Sequence, residues 1–210
     1  MPRYELLPPR PNPHPLRPLS SAQTWTETYR GLKIWRIQHA VLAGVTPREL
    51  LEWFLHLDAP VTIEGRAFTN YLLWHPIDHI HWEVLRLAPD GSRRVGAKWR
   101  IVEKFGGHLN VFDVTVLKLD ETGIVLDFRL GPFSAGRVEH RWRQLDGGTF
   151  YDTSLCLNPT GSPLIALGLR LRYFDGEAWL THNVEEVGLL EHLIPRLIRV
   201  QPVAPARPSE

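Results

Sequence analysis

The sequence predicts an α+β chain in which a curved antiparallel sheet grips a long C-terminal helix. Three observations predict it. Helical spacing starts early, at Pro47. Short alternating segments separated by turn signals fill residues from about 97 to 157. A long helix with an apolar stripe then runs from about Leu180 to Val200. Helices and strands segregated along a chain in this way do not build parallel βαβ units. A sheet wrapped on the last helix is the natural way to bury its stripe, and such a grip encloses a cavity.

Residues 1–19 hold seven prolines, at positions 2, 8, 9, 11, 13, 15 and 18. Proline lacks the backbone donor that helices and central strands need, so this stretch reads as an extended arm, either loose or laid over the domain. One domain is expected over 20–200. Residues 28–44 fit strand or helix equally. Thr46 and Glu49 form a capping box with Pro47 at the first helical position, and Leu50, Leu51, Phe54 and Leu55 recur at helical spacing over Pro47–Leu57. Residues 68–87 are apolar and aromatic but interrupted by Pro76, so a helix should end near Trp74 or restart at Pro76. Lys98–Lys104, Asn110–Leu119 and Ile124–Leu130 read as strands, the last two joined by the turn Asp120–Gly123. Arg137–Leu145 and Thr149–Leu157 form a hairpin about Asp146, Gly147 and Gly148. Asn158–Pro163 is a loop. Ile165, Leu167, Leu169, Leu171 and Tyr173 alternate as a strand would, although a helix also fits. On the last helix Val187, Leu190, Ile194 and Leu197 make the apolar stripe, with a bend or break expected at Pro195. Residues 201–210 read as a disordered tail.

The bulk composition excludes several functions. Hydrophobic residues make up 43% and charged residues 22% of the 210, and the net charge is +1. No basic run tracks a nucleic-acid backbone. No apolar stretch approaches the roughly 20 residues of a membrane helix, and the first residues lack the apolar core of a signal peptide. Cys156 is the only cysteine, which excludes an internal disulfide and a Cys-rich metal site and suits a reducing compartment. A cytoplasmic protein is expected, with no nucleic-acid or membrane partner; a homodimer is left open.

Ten histidines stand out. His182 and Glu186 lie four residues apart on the last helix, so both project from one face and can bind one metal ion; a surface ion pair is the alternative. Trp74–Glu83 (WHPIDHIHWE) packs three histidines and two acids among apolar walls, which suits a metal or catalytic pocket, although an amphipathic segment with satisfied histidines fits too. Glu103 precedes a Gly-Gly turn at the end of an apolar strand, where it points either inward or to solvent.

Three motifs, WHPID (74–78), VEKFGG (102–107) and HNVEEVG (182–188), resemble in order the diacetylphloroglucinol hydrolase family, which includes phloretin hydrolase. The resemblance covers roughly residues 45–200. It implies a Bet v 1-like (START-like) helix-grip domain that uses zinc, held by two His and two Glu, to hydrolyse the carbon–carbon bond between a phenolic ring and an acyl group. Carried over by motif, the ligands are His75, Glu103, His182 and Glu186, with Asp78 as the polar residue three positions after the first histidine. The chain largely lacks the N-terminal region of that family, and Asp78 stands where an amide is expected. Zinc accepts such a mixed N/O set; iron(II), manganese and cobalt also do.

The expected ligand is a small aromatic or phenolic molecule. Asp78 or His79 is the candidate acid/base, and Tyr71, Trp74 and His140 are candidate substrate contacts. His81 is expected to face away from the site. Two rival readings share the cavity: a non-catalytic carrier of hydrophobic small molecules, and a polyketide cyclase or other metal-assisted lyase. A proline-rich ligand for an SH3-like domain is disfavoured, because the arm's arginines and prolines lack a repeat.

Overall fold

Thr46 opens the first helix as its neighbours require. Its hydroxyl accepts from the Glu49 amide at 3.3 Å, and the Glu49 carboxylate accepts in return from the Thr46 amide at 2.8 Å. The helix, α1 (Pro47–Leu55), buries Leu50, Leu51, Trp53 and Phe54. The computed structural model to which it belongs describes residues 4–6, 8–12, 14–29, 32–130, 133–163 and 174–197.

The ambiguous stretch before α1 is strand: β1 (Gln23–Tyr29), β2 (Leu32–Gln38) and the short β3 (Leu42–Ala43). After α1 comes a hairpin that the sequence reading missed, β4 (Pro60–Ile63) with β5 (Arg66–Thr69). It leads into α2 (Asn70–Trp74), which Thr69 caps by accepting from the Leu72 amide. His75 takes extended angles (φ −131°, ψ 103°) and ends α2, as a residue before proline is driven to do. The helix does not restart at Pro76. After one turn, β6 (His79–Arg86) begins instead.

The meander follows: β7 (Lys98–Phe105), β8 (His108–Asp120), β9 (Gly123–Leu130), β10 (Phe133–Leu145) and β11 (Gly148–Leu157). The large sheet runs β1-β2-β11-β10-β9-β8-β7-β6, and β3 adds to β11. Each of these pairings is antiparallel. Gly106 and Gly107 join β7 to β8 at φ 59° and 76°, angles that a two-residue hairpin needs and that glycine adopts at no steric cost.

The last helix, α3 (Gly176–Leu197), starts a turn before the expected Leu180. Asp175 caps it, its Oδ1 accepting from the amides of Glu177 and Ala178. Pro195 lies inside this helix and does not end it. Val187, Leu190 and Ile194 are completely buried, and Leu197 is partly buried against the same core. The expected grip of sheet on helix is therefore present. The alternation over 164–173, the helix beyond Leu197 and the tail 201–210 lie outside the described residues. Among those described, no helix is long and apolar enough to cross a membrane.

Candidate metal centre

Two strands and one helix bring four side chains together. On β6 and β7, His79 stands directly opposite Glu103, and the register shifts between His79 and His81. That bulge re-aims the start of β6, so His79 is fully buried while His81 keeps a side chain 41% exposed. On α3, His182 and Glu186 lie one turn apart and are 3% and 5% exposed.

His79 Nε2 lies 3.6 Å from Glu103 and 3.3 Å from Glu186 Oε2. His182 Nε2 lies 3.7 Å from Glu103 Oε2 and 3.8 Å from Glu186 Oε2. Neither Nε2 finds a hydrogen-bond partner among the described residues. A buried nitrogen left so costs about 1–3 kcal/mol, which calls for a ligand. Donors held around zinc at 2.0–2.2 Å in a tetrahedron stand about 3.4 Å apart, close to the spacing of His79, His182 and Glu186, whose donor atoms form one group, while Glu103 faces the two imidazoles with different oxygens. The residues present fit a divalent metal.

Each donor is held from behind. His182 Nδ1 donates to Asp78 Oδ2 at 2.9 Å, and His79 Nδ1 donates to the Tyr71 carbonyl at 2.7 Å. Both rings thereby turn Nε2 toward the cluster, the tautomer a metal-binding imidazole needs. The Tyr71 hydroxyl donates to Glu103 Oε1 at 3.0 Å, and Asn183 Nδ2 donates to Glu186 Oε1. Burial pulls the His182 imidazole down, but the Asp78 hydrogen bond and the Glu103 and Glu186 carboxylates outweigh it and hold it at about 9. Burial pushes Glu186 up to about 8 against the pull of His182, and raises Glu103 as well. Burial, then His182 and His75, holds His79 well below the usual imidazole range. Two buried carboxylates thus face two imidazoles, a charge pattern that favours a cation at the centre.

The expected set needs one correction. His75 is as buried as His79, but its ring is engaged elsewhere. Its Nδ1 accepts from the Asp78 amide at 3.0 Å, and its Nε2 donates to Glu185 at 3.1 Å. His79, rather than His75, stands beside the two glutamates. Asp78 joins His75 and His182 in a second group of donor atoms. There it holds His182 by hydrogen bond.

The three candidate substrate contacts are placed as supports. Tyr71, 2% exposed, stacks on His79 at 4.1 Å and spends its hydroxyl on Glu103. The Trp74 indole donates to the Glu186 carbonyl at 2.9 Å, tying α2 to α3. His140 is buried with Nδ1 3.1 Å from the Thr153 hydroxyl, which also meets His39 Nε2 at 3.0 Å. Burial lowers His140 to about 3, and burial with His140 does the same to His39. None of these residues lines the open pocket of about 450 Å³ that leads to the centre. Its walls include Asp78, Lys104, Phe105, Gly106, His182 and Glu185. A Cβ on Gly106 would lie 3.0 Å from the Asp175 Cβ, so glycine there lets the β7–β8 turn close against the start of α3.

Sequence reasoning missed Asn183 and Arg10. Asn183 was visible in principle, three residues before Glu186 on the same helix face. Arg10 had no local signal: it reaches the carbonyls of Leu72, His75 and His79 across 62 to 69 residues of chain. Replacing Asp78 by Asn is expected to weaken metal binding about 10–100-fold, because it removes the carboxylate that sets the His182 ring. Competition with a chromogenic chelator measures this, and unchanged affinity would assign Asp78 to the pocket alone.

No protein-family model and no curated protein matches the chain. Solved structures do. A START superfamily protein from Mycobacterium smegmatis aligns with TM-score 0.50 at 15% identity over 77% of this chain and 98% of that one. Ara h 8.0201 aligns at 0.43 and 12% identity over 80% and 98%, and a Rhodobacter sphaeroides protein at 0.47 and 12% over 83% and 99%. The fold is the Bet v 1/START-like helix grip, as the first of these supports. The comparisons reach the fold and not the specific hydrolase family.

Proposed function

We propose that the chain is a metal-dependent hydrolase, with zinc as the metal, that cleaves the carbon–carbon bond between a phenolic ring and an acyl group. The observation that carries this is the convergence of His79, Glu103, His182 and Glu186 with two unpartnered buried Nε2 atoms, beside an open pocket that His182 lines. A carrier of hydrophobic molecules has no use for two buried carboxylates facing two imidazoles.

A zinc ion bound there supplies carbonyl polarisation and a water whose pKa falls towards about 7. The protein does the rest. His79 and His182 are locked in the Nε2-presenting tautomer by the Tyr71 carbonyl and by Asp78. Asn183 fixes Glu186 Oε1 and leaves Oε2 towards the two imidazoles, and Tyr71 fixes Glu103 Oε1. The reaction adds water across the bond: its oxygen ends on the acyl carbon, and a proton ends on the ring carbon. The ring carbon leaves well only if protonated, so an acid must stand at the pocket side. Asp78 lines that side beside His182, and it is assigned this role: its carboxylate takes the proton that the attacking water gives up and passes it to the ring carbon.

The test is metal analysis of the purified protein, then product analysis with a panel of acyl phenols. About one zinc per chain and release of a carboxylic acid with the deacylated phenol are expected. Absence of metal, with no thermal stabilisation on adding zinc, overturns the centre. Zinc binding with tight phenol binding and no cleavage overturns the hydrolase and leaves a metal-containing binding protein.

A further inference from the structure

The N-terminal arm touches both halves of the centre from behind. Arg10 is 6% exposed. Its guanidinium donates to the carbonyls of Leu72, His75 and His79, and its amide donates to the Pro76 carbonyl. These groups are the last carbonyl groups around α2, the Pro76 corner, and the backbone of His79 itself. No carboxylate pairs with this guanidinium among the described residues: its Nε and Nη2 donate to carbonyls, and its Nη1 finds no hydrogen-bond partner.

Seven residues on, the arm grips the helix that carries the other two donors. Arg17 pairs with Glu191 at 2.8 Å, and the same carboxylate oxygen accepts from the Ala43 amide. Between these anchors His14 stacks on His192 of α3 at 4.2 Å. The Arg17 stem lies on Gly188: a Cβ at that glycine would sit 2.6 Å from the Arg17 Cδ and 3.0 Å from its Cβ. Seven residues of extended chain reach about 22 Å, ample to run from the back of segment 75–79 to α3. Prolines keep such a chain stiff.

We propose that the proline-rich arm is a brace of the metal centre: Arg10 holds the backbone of His79, Arg17 holds α3 at Gly188, and the chain between them fixes His79 relative to His182 and Glu186. Arg10 and Arg17 are positioning residues and touch neither metal nor substrate. The proposal rests on the metal-centre reading above.

The test uses the full chain, with zinc affinity from chelator competition and the visible spectrum of the cobalt(II)-substituted protein. Wild type is measured first; if it takes up neither metal, the centre falls and the brace with it. Arg10→Ala is expected to weaken zinc about tenfold or more and to shift the cobalt bands. Arg10→Lys is expected to restore only part of the affinity, because an ammonium does not fork onto several carbonyls. Gly188→Ala is the second, independent variant. Alanine favours helix over glycine, so a merely structural account expects a firmer α3 and an unchanged spectrum. The brace expects the new Cβ to lift Arg17 and weaken zinc. It decides the matter if Arg10→Ala fails to fold. Wild-type affinity and an unchanged cobalt spectrum in the folded variants overturn the proposal while leaving the centre intact.

Discussion

His79→Ala is expected to leave the purified protein without zinc, whereas His75→Ala is expected to keep its metal and lose only stability. The two histidines are equally buried and four residues apart, so burial does not separate them. Their partners do. Removing His79 deletes a donor whose Nε2 faces Glu103 and Glu186, and the loss should exceed the about 10–100-fold typical of an outer partner. Removing His75 leaves the Asp78 amide without its acceptor and Glu185 without its donor, at about 1–3 kcal/mol. Elemental analysis and thermal melts of both variants read the two effects separately. Metal loss in the His75 variant with retention in the His79 variant would restore the assignment drawn from the motif.

Glu186→Gln is expected to change sign with the metal. In metal-free protein the variant should be more stable than wild type near pH 8.5, and with zinc less stable. Glu186 is held at about 8 in the fold against an ordinary 4.5. A carboxyl raised in this way contributes stability that is complete below about 4.5 and lost as the pH rises through 8. Glutamine cannot ionise, keeps a carbonyl for Asn183, and removes that loss. His182, raised from 6.5 to about 9, loses its own contribution between those values, and Asp78 preserves part of it in the variant. Relief of one buried charge from a like-charged pair amounts to about 1–3 kcal/mol. For a chain of this size that is about 2–4 °C per kcal/mol. Melts in chelator and in zinc measure both signs; a variant that melts lower in each would show that Glu186 earns its place without a metal.

The parts of this picture that the sequence made legible share a short range. The capping box at Thr46, the Asp120–Gly123 turn and the His182/Glu186 pair depend on spacings of three or four residues, which helix and turn geometry fix outright. The β4–β5 hairpin was legible and overlooked: Glu64 and Gly65, at φ 51° and 74°, follow the β-branched run Val61–Ile63. The choice between His75 and His79 was not legible. It depends on how many residues separate Trp74 from the first paired residue of β6 and on the bulge after His79, and the pleat inverts a side chain with each residue of slip. Arg10 was out of reach altogether, because nothing near it in sequence resembles its partners. The surroundings of the candidate substrate contacts were illegible for a related reason. Tyr71, Trp74 and His140 have the right chemistry for a phenol, but residue type does not reveal that Glu103, the Glu186 carbonyl and Thr153 already occupy them.

The Arg17–Glu191 pair joins residues 174 apart in sequence, and this gives the centre a place in time. His79 and Glu103 meet as soon as the β6–β7 hairpin closes, a local event. His182 and Glu186 join them only when α3 (Gly176–Leu197) packs on the sheet, across about 80 residues of intervening chain. Contacts of such long range form late, after the entropy of closing the intervening loop has been overcome. The unfolded or partly folded chain therefore offers a metal no more than a His–Glu pair until α3 docks beside the β6–β7 hairpin. On the proposed centre, metal capture is expected to follow folding rather than guide it, and refolding rates should be the same with zinc as with chelator even where the final stability differs.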